Sequence, residues 1–122
     1  MILSICIRYS FYSISDNPPI SVISMFQRTL EHSKDSLALR VKRDDTWHEW
    51  TYQQYFDEAK IVAKAFIKLG LRRHHSVCIL GFNSPEWFIS QLAAIIAGGF
   101  SAGIYTTNSP ESCKYIIGKP IY

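Results

Sequence analysis

The residues that could carry chemistry in this 122-residue chain are glycines, histidines, cysteines and carboxylates, and each set must be weighed by spacing. Gly98-Gly99-Phe100-Ser101-Ala102-Gly103 holds two glycines, Gly98 and Gly103, separated by four residues, as in a phosphate-cradling loop. Such a loop continues with lysine and a hydroxyl residue and precedes a helix, because an ammonium and the helix amides must meet the phosphate. Here Ile104 and Tyr105 follow, and the pattern places the glycines after a helix and before a strand. They read as a helix stop with close packing against a sheet.

His32, His48, His74 and His75 include no pair at i, i+4 with a further ligand, so no metal centre is expected. Cys6, Cys78 and Cys113 are odd in number and widely spaced, which argues against a disulfide framework and for a reducing compartment. Gly99-Phe100-Ser101-Ala102-Gly103 has the spelling Gly-x-Ser-x-Gly but leads into a strand instead of linking a strand to a helix, so it marks no nucleophile. Asp57, Glu58, Glu86 and Glu111 are explained as helix surface or helix start. No residue is expected to be catalytic. The net charge of +3 is scattered, with no basic stripe interleaved with stacking aromatics, so nucleic acid is not an expected partner.

These residues must be positioned by elements that the pattern specifies. Asp16-Asn17-Pro18-Pro19 breaks the chain, and Met1 to Ser15 lacks the basic start and cleavage site of a signal peptide. Residues 1–18 are expected to form a divergent, poorly ordered leader. Val22, Met25, Phe26 and Leu30 predict a helix over Ser21 to His32. Leu37 to Val41 and Thr46 to Trp50 predict a hairpin turning at Asp44-Asp45.

Thr51 and Gln54 form a capping box that opens a long helix. Tyr55, Ala59, Val62, Phe66 and Leu69 give that helix its apolar stripe, and Gly70 stops it. The run Ser76 to Phe82 predicts a strand buried on both faces, as in parallel sheets. Ser84-Pro85-Glu86 supplies a cap, a first-turn proline and an acid for a helix to Ala97. Phe100 to Tyr105 predicts the next strand, and Ser109-Pro110-Glu111 opens a helix through Ile117. The expected fold class is α/β: a helix and a β-hairpin, then a parallel-sheet crossover unit.

The stretch from Trp87 to Pro110 carries no charge and is long enough to span a bilayer. Its glycines and its lack of nearby basic flanks favour a buried helix followed by a buried strand. A small single-span membrane protein is the alternative.

Trp47-His48-Glu49-Trp50-Thr51-Tyr52, Ala63, Leu69-Gly70-Leu71, Val77 to Leu80, Asn83-Ser84-Pro85-Glu86-Trp87, Ala97-Gly98-Gly99 and Gly103-Ile104-Tyr105-Thr106-Thr107 form an ordered set. That set resembles the opening of an adenylate-forming acyl-CoA synthetase, and most closely the bubblegum-type long-chain fatty acid ligases. It covers roughly Pro19 to Ile117. The resemblance implies a partial N-terminal subdomain of an adenylate-forming enzyme over residues 19–117, with residues 118–122 a divergent tail. It implies fatty acid activation with ATP, magnesium and coenzyme A in a longer parent protein. Family members neutralise phosphate charge with a lysine-bearing Ser/Thr/Gly-rich loop, a glutamate for magnesium, an aspartate for ribose and a mobile lysine. None of these has a counterpart here, so no cofactor is expected to be held by this segment alone.

By the same resemblance Tyr105, Thr106 and Thr107 are candidates for a loop facing coenzyme A. The plainer reading is that Tyr105 ends a strand and Asn108-Ser109-Pro110 caps a helix. The implied location is cytoplasmic, with peripheral contact at the endoplasmic reticulum membrane. Self-association through an unfinished sheet edge, or pairing with a full-length synthetase as a regulatory module, is the other reading of so short a segment.

Overall fold

The computed structural model describes residues 19–118. The expected leader, Cys6 and residues 119–122 of the expected tail lie outside the described residues.

Helix α1 (Val22–Ser33) starts because Ser21 is extended and its side chain accepts the Ser24 N–H at 3.0 Å. Phe26 and Leu30 pack on the core, and the Phe26 ring stacks on Phe56 with centroids 5.4 Å apart. Val22 and Met25, expected on the same stripe, are exposed. The helix meets its neighbours along a single narrow line.

Strands β1 (Leu37–Arg43) and β2 (Thr46–Thr51) pair antiparallel from Arg43↔Thr46 to Leu39↔Trp50, with an irregularity between Leu37 and Leu39. Each runs slightly beyond the sequence expectation, to Arg43 and Thr51. Asp44 (φ 46°) and Asp45 (φ 59°) both take the left-handed conformation that a two-residue hairpin turn demands. Arg40 pairs with Glu49 across the ladder at 3.5 Å and lies 3.9 Å above the Trp47 ring.

The capping box opens helix α2 (Tyr52–Lys68) as expected: the Gln54 N–H reaches Thr51 Oγ1 at 3.2 Å, and the Thr51 N–H reaches Gln54 Oε1 at 2.9 Å. The stripe needs a correction. The buried line is Phe56, Ala59 and Ala63, flanked by Tyr55, Val62 and Phe66, whereas Leu69 is 84% exposed. Leu69 is the C-cap, and Gly70 at φ +98° turns the chain away before its side chain can reach the core.

Strand β3 (Ser76–Leu80), helix α3 (Pro85–Ile96) and strand β4 (Phe100–Ile104) form the crossover unit. The strands pair parallel, from Ser76↔Phe100 to Leu80↔Ile104. Helix α4 (Pro110–Gly118) follows. Ala59 and Ala63 on α2 and Ala93 on α3 are almost fully buried, so α2 and α3 approach closely around Phe56, Ile89 and Leu92. This is the core, and it holds α3 against the sheet.

β3 is not buried on both faces. It ends at Leu80, which is 56% exposed, and Val77, Cys78 and Ile79 are half-buried. A sheet of two strands leaves edges and one end uncovered, so the apolar run overstated the burial. The uncharged stretch also resolves: α3 has 12 residues, ends before Gly98, and β4 follows. Among the described residues no helix is long and apolar enough to cross a membrane.

The glycine pair does what its position in the sequence suggested. Gly98 ends α3 at φ +80°. A Cβ on Gly99 would lie 2.5 Å from the His75 carbonyl oxygen, so only glycine lets the turn pass under the entry to β3.

Candidate functional site

In open α/β sheets, side chains and backbone groups beyond the carboxyl ends of parallel strands face ligands, because the loops there diverge. In this chain that edge follows Leu80 in β3 and Ile104 in β4. Tyr105, Thr106 and Thr107 form one turn at the end of β4, closed by the Asn108 N–H donating to the Tyr105 carbonyl at 3.1 Å. Tyr105 is 63% exposed and both threonines are exposed, so all three residues are open to solvent. Asn108 is half-buried.

The turn leads straight into α4. Ser109 Oγ accepts the Ser112 N–H at 3.2 Å, and the Glu111 carboxyl is held below its ordinary range by backbone amides at the helix start, then by Ser109. These bonds fit the plainer reading of this segment: Tyr105 follows the strand end, and Ser109 caps the helix. The cap uses Ser109 and leaves residues 105–107 exposed.

Beside the turn runs an open groove lined by Leu80, Asn108, Pro110, Cys113, Lys114 and Ile117. It is apolar apart from Asn108 and Lys114. Sequence reasoning missed this wall. Cys113 and Ile117, four apart on a helix that had been recognised, were the available signal; that Leu80 would face them required the parallel register.

The scaffold behind the site is tied at two points. Arg43, at the end of β1, donates to both Glu86 carboxylate oxygens at 2.6 and 2.8 Å, fixing the hairpin to the first turn of α3. The Arg43 guanidinium, followed by the helix-start amide, holds the Glu86 carboxyl below its ordinary value. The Tyr55 hydroxyl on α2 donates to the Phe88 carbonyl on α3 at 3.0 Å, and burial pushes its pKa up to about 12.

Chemically this edge offers hydroxyls, one amide and a single cation beside an apolar wall. Among the described residues no three His, Cys, Asp or Glu side chains converge to hold a metal ion. Cys78 and Cys113 are free thiols. The arrangement suits contact with part of a ligand and has no general acid–base pair aimed at it.

A family model described as AMP-binding enzyme matches residues 26–119. The chain belongs to the AMP-binding enzyme family. It is 49% identical over 110 residues to the long-chain-fatty-acid–CoA ligase ACSBG2 of Xenopus laevis, covering 90% of this chain and 15% of that protein. It is 52% identical over 98 residues to the human long-chain-fatty-acid–CoA ligase ACSBG1, covering 80% of this chain and 14% of that one. The chain therefore spans only about 15% of such a curated relative's length. The resemblance to long-chain acyl-CoA synthetases drawn from the ordered motifs is borne out.

Solved structures carry the same fold. The anthranilate CoA ligase AuaEII, in complex with anthranoyl-AMP, superposes with a TM-score of 0.72 at 30% identity, over 84% of this chain and 19% of that one. A fatty acid AMP ligase from Legionella pneumophila gives a TM-score of 0.71 at 17% identity, over 82% and 18% of the two chains, a likeness of fold. The α/β class, as a partial subdomain of an adenylate-forming enzyme, is thus confirmed.

Proposed function

We propose that residues 19–117 are the opening part of the N-terminal subdomain of a long-chain fatty acid–CoA ligase. The carrying observation is the 49% identity over 110 residues to a long-chain-fatty-acid–CoA ligase, laid on an intact β3–α3–β4 unit. In the reaction we assign to the parent, a fatty acid carboxylate attacks ATP to give acyl-adenylate and pyrophosphate. The thiol of coenzyme A then displaces AMP to give the thioester. ATP with magnesium supplies the activating phosphoryl chemistry. The residues described here do not match the demands of a triphosphate, which needs converging cations and a metal-ligating carboxylate.

This segment's own contribution is positional. The α2–α3 core and the Arg43–Glu86 pair hold the crossover unit, and the unit presents Tyr105, Thr106 and Thr107 at the sheet's carboxyl end. We assign those three residues to the side of the site that meets coenzyme A, through hydrogen bonds from their hydroxyls. β3 and β4 carry no charged side chain, so their free edges are where further strands of the parent, or a second copy, would add. We place the parent in the cytoplasm, working at the endoplasmic reticulum surface where its apolar substrate partitions.

Two measurements test this reading. The purified chain with ATP, magnesium and palmitate should release no pyrophosphate; steady release would overturn the positional role. A chimaera of the human ACSBG1 ligase carrying residues 19–118 in place of its matching segment should form the thioester. In it, Thr106→Val with Thr107→Val should raise KM for coenzyme A and leave KM for ATP unchanged. A folded but inactive chimaera would sink the assignment to these ligases.

A further inference from the structure

The end of the molecule opposite the Tyr105 turn has a different character. From Ala59 to Pro85 the chain contains no acidic residue. On α2, Ile61, Lys64 and Lys68 are spaced three and four apart on the face away from Phe56, Ala59 and Ala63, and all three are exposed. Leu69 follows, with Arg72 and Arg73 after it, both exposed. None of Lys64, Lys68, Arg72 and Arg73 has an ion-pair partner among the described residues, whereas Lys60 is held by Asp57 at 2.8 Å.

The chain from Gly70 to His75 carries this surface from the end of α2 to the end of α3. The Leu71 N–H donates to the Phe66 carbonyl at 2.9 Å, and the His74 N–H donates to the Gly98 carbonyl at 2.9 Å. Arg73 Cγ lies 3.8 Å from where a Cβ on Gly98 would be. Two helix carboxyl ends therefore lie side by side beneath the basic residues. Cations near helix carboxyl ends complement the helix dipoles, and that accounts for one or two of them. It does not account for Ile61 at 66% exposure and Leu69 at 84% among them.

We propose that Ile61, Lys64, Lys68, Leu69, Arg72 and Arg73 form a docking surface for an anionic lipid bilayer. The cations meet lipid headgroups by long-range attraction, and the two aliphatic side chains enter the boundary between headgroups and acyl chains. A duplex nucleic acid would use the charges and leave the aliphatic residues in water, so the mixture favours lipid. The surface is argued from charge and exposure alone and stands or falls separately from the ligase reading. It lies at the amino end of β3 and β4, away from the turn at residues 105–107, so docking leaves that turn accessible.

The test is flotation of the full chain with vesicles of phosphatidylcholine, with and without about 30% phosphatidylserine. Binding is expected only with the anionic vesicles and should fall as salt rises. Lys68→Gln, Arg72→Gln and Arg73→Gln together should weaken it about a hundred-fold, at about five-fold per charge. Leu69→Ser should weaken it in a way that salt does not change. Arg72→Lys with Arg73→Lys should retain binding, which separates charge from misfolding. Arg28→Gln with Lys34→Gln, exposed cations elsewhere, should have little effect. Equal binding to neutral vesicles, full binding by the triple variant, or salt-sensitive binding to duplex DNA without binding to anionic vesicles would each overturn the proposal.

Discussion

The α2–α3 contact and the β3–β4 pair both offer apolar side chains for burial, yet one is closed and the other partly open. Between the helices, Ala59, Ala63 and Ala93 let the backbones approach, and Leu92 is 4% exposed. In the strand pair, Leu80 and Phe100 are about half exposed. The difference teaches that apolar residues stabilise only where a partner surface exists within the chain. The helices find theirs, while among the described residues the strands bury Ile104 and leave Leu80 and Phe100 wet.

The contrast can be broken from the helical side first. Leu92→Ala should lower unfolding free energy by about 3 kcal/mol in urea titrations, since it leaves a cavity that helices held by alanines cannot fill. Leu80→Ala should cost less than about 1 kcal/mol, because its side chain is already wet. Equal losses would mean that the strand pair is covered in solution.

Gly99→Ala probes the seam between the two regions. Its added methyl meets a backbone oxygen, the His75 carbonyl, at 2.5 Å, so the turn must shift. The expected loss is about 2 kcal/mol, with chemical shift changes confined to residues near His75 and Gly98.

Tyr55→Phe sharpens the comparison through pH. The phenol is raised from 10.0 to about 12 in the folded chain, so its contribution is complete below pH 10 and lost as pH rises toward 12. The variant should lose about 1 kcal/mol at neutral pH and show a shallower alkaline decline. The smallest effect belongs to Arg43→Gln. Glu86 is depressed below its ordinary 4.5, so the pair stabilises above that pH and fails as acid takes the carboxyl through its lowered value. Both partners are largely exposed, so about 0.5 kcal/mol is expected at neutral pH, with less acid sensitivity in the variant.

What could be read from the residues followed the range of the interactions. The Thr51–Gln54 box, the Ser84-Pro85 start and the Ser109 cap were legible because each closes hydrogen bonds within three residues. The crossover unit was legible from its run lengths. Which face of α2 is buried was only partly legible: Leu69 fits the periodicity but falls past the last turn, and Phe56 and Ala63 depend on where α3 lies. Arg43 and Glu86, 43 residues apart, gave no sign of each other. At the candidate site the turn after β4 was visible, but its groove needs Leu80 and α4 brought together by tertiary structure.

The parallel pair is fastened most tightly at its amino end. At its amino end the Phe100 N–H donates to His75 and the His74 N–H donates to Gly98, with a glycine wedged tight between them. At its other end Leu80 is wet, while its partner Ile104 is only 6% exposed. Amide exchange should therefore be slow near Ser76 and Phe100 and, at the other end, faster at Leu80 than at Ile104. A strand clamped by its glycine seam at one end and seated by Ile104 at the other hands the Tyr105 turn to solvent from a fixed footing.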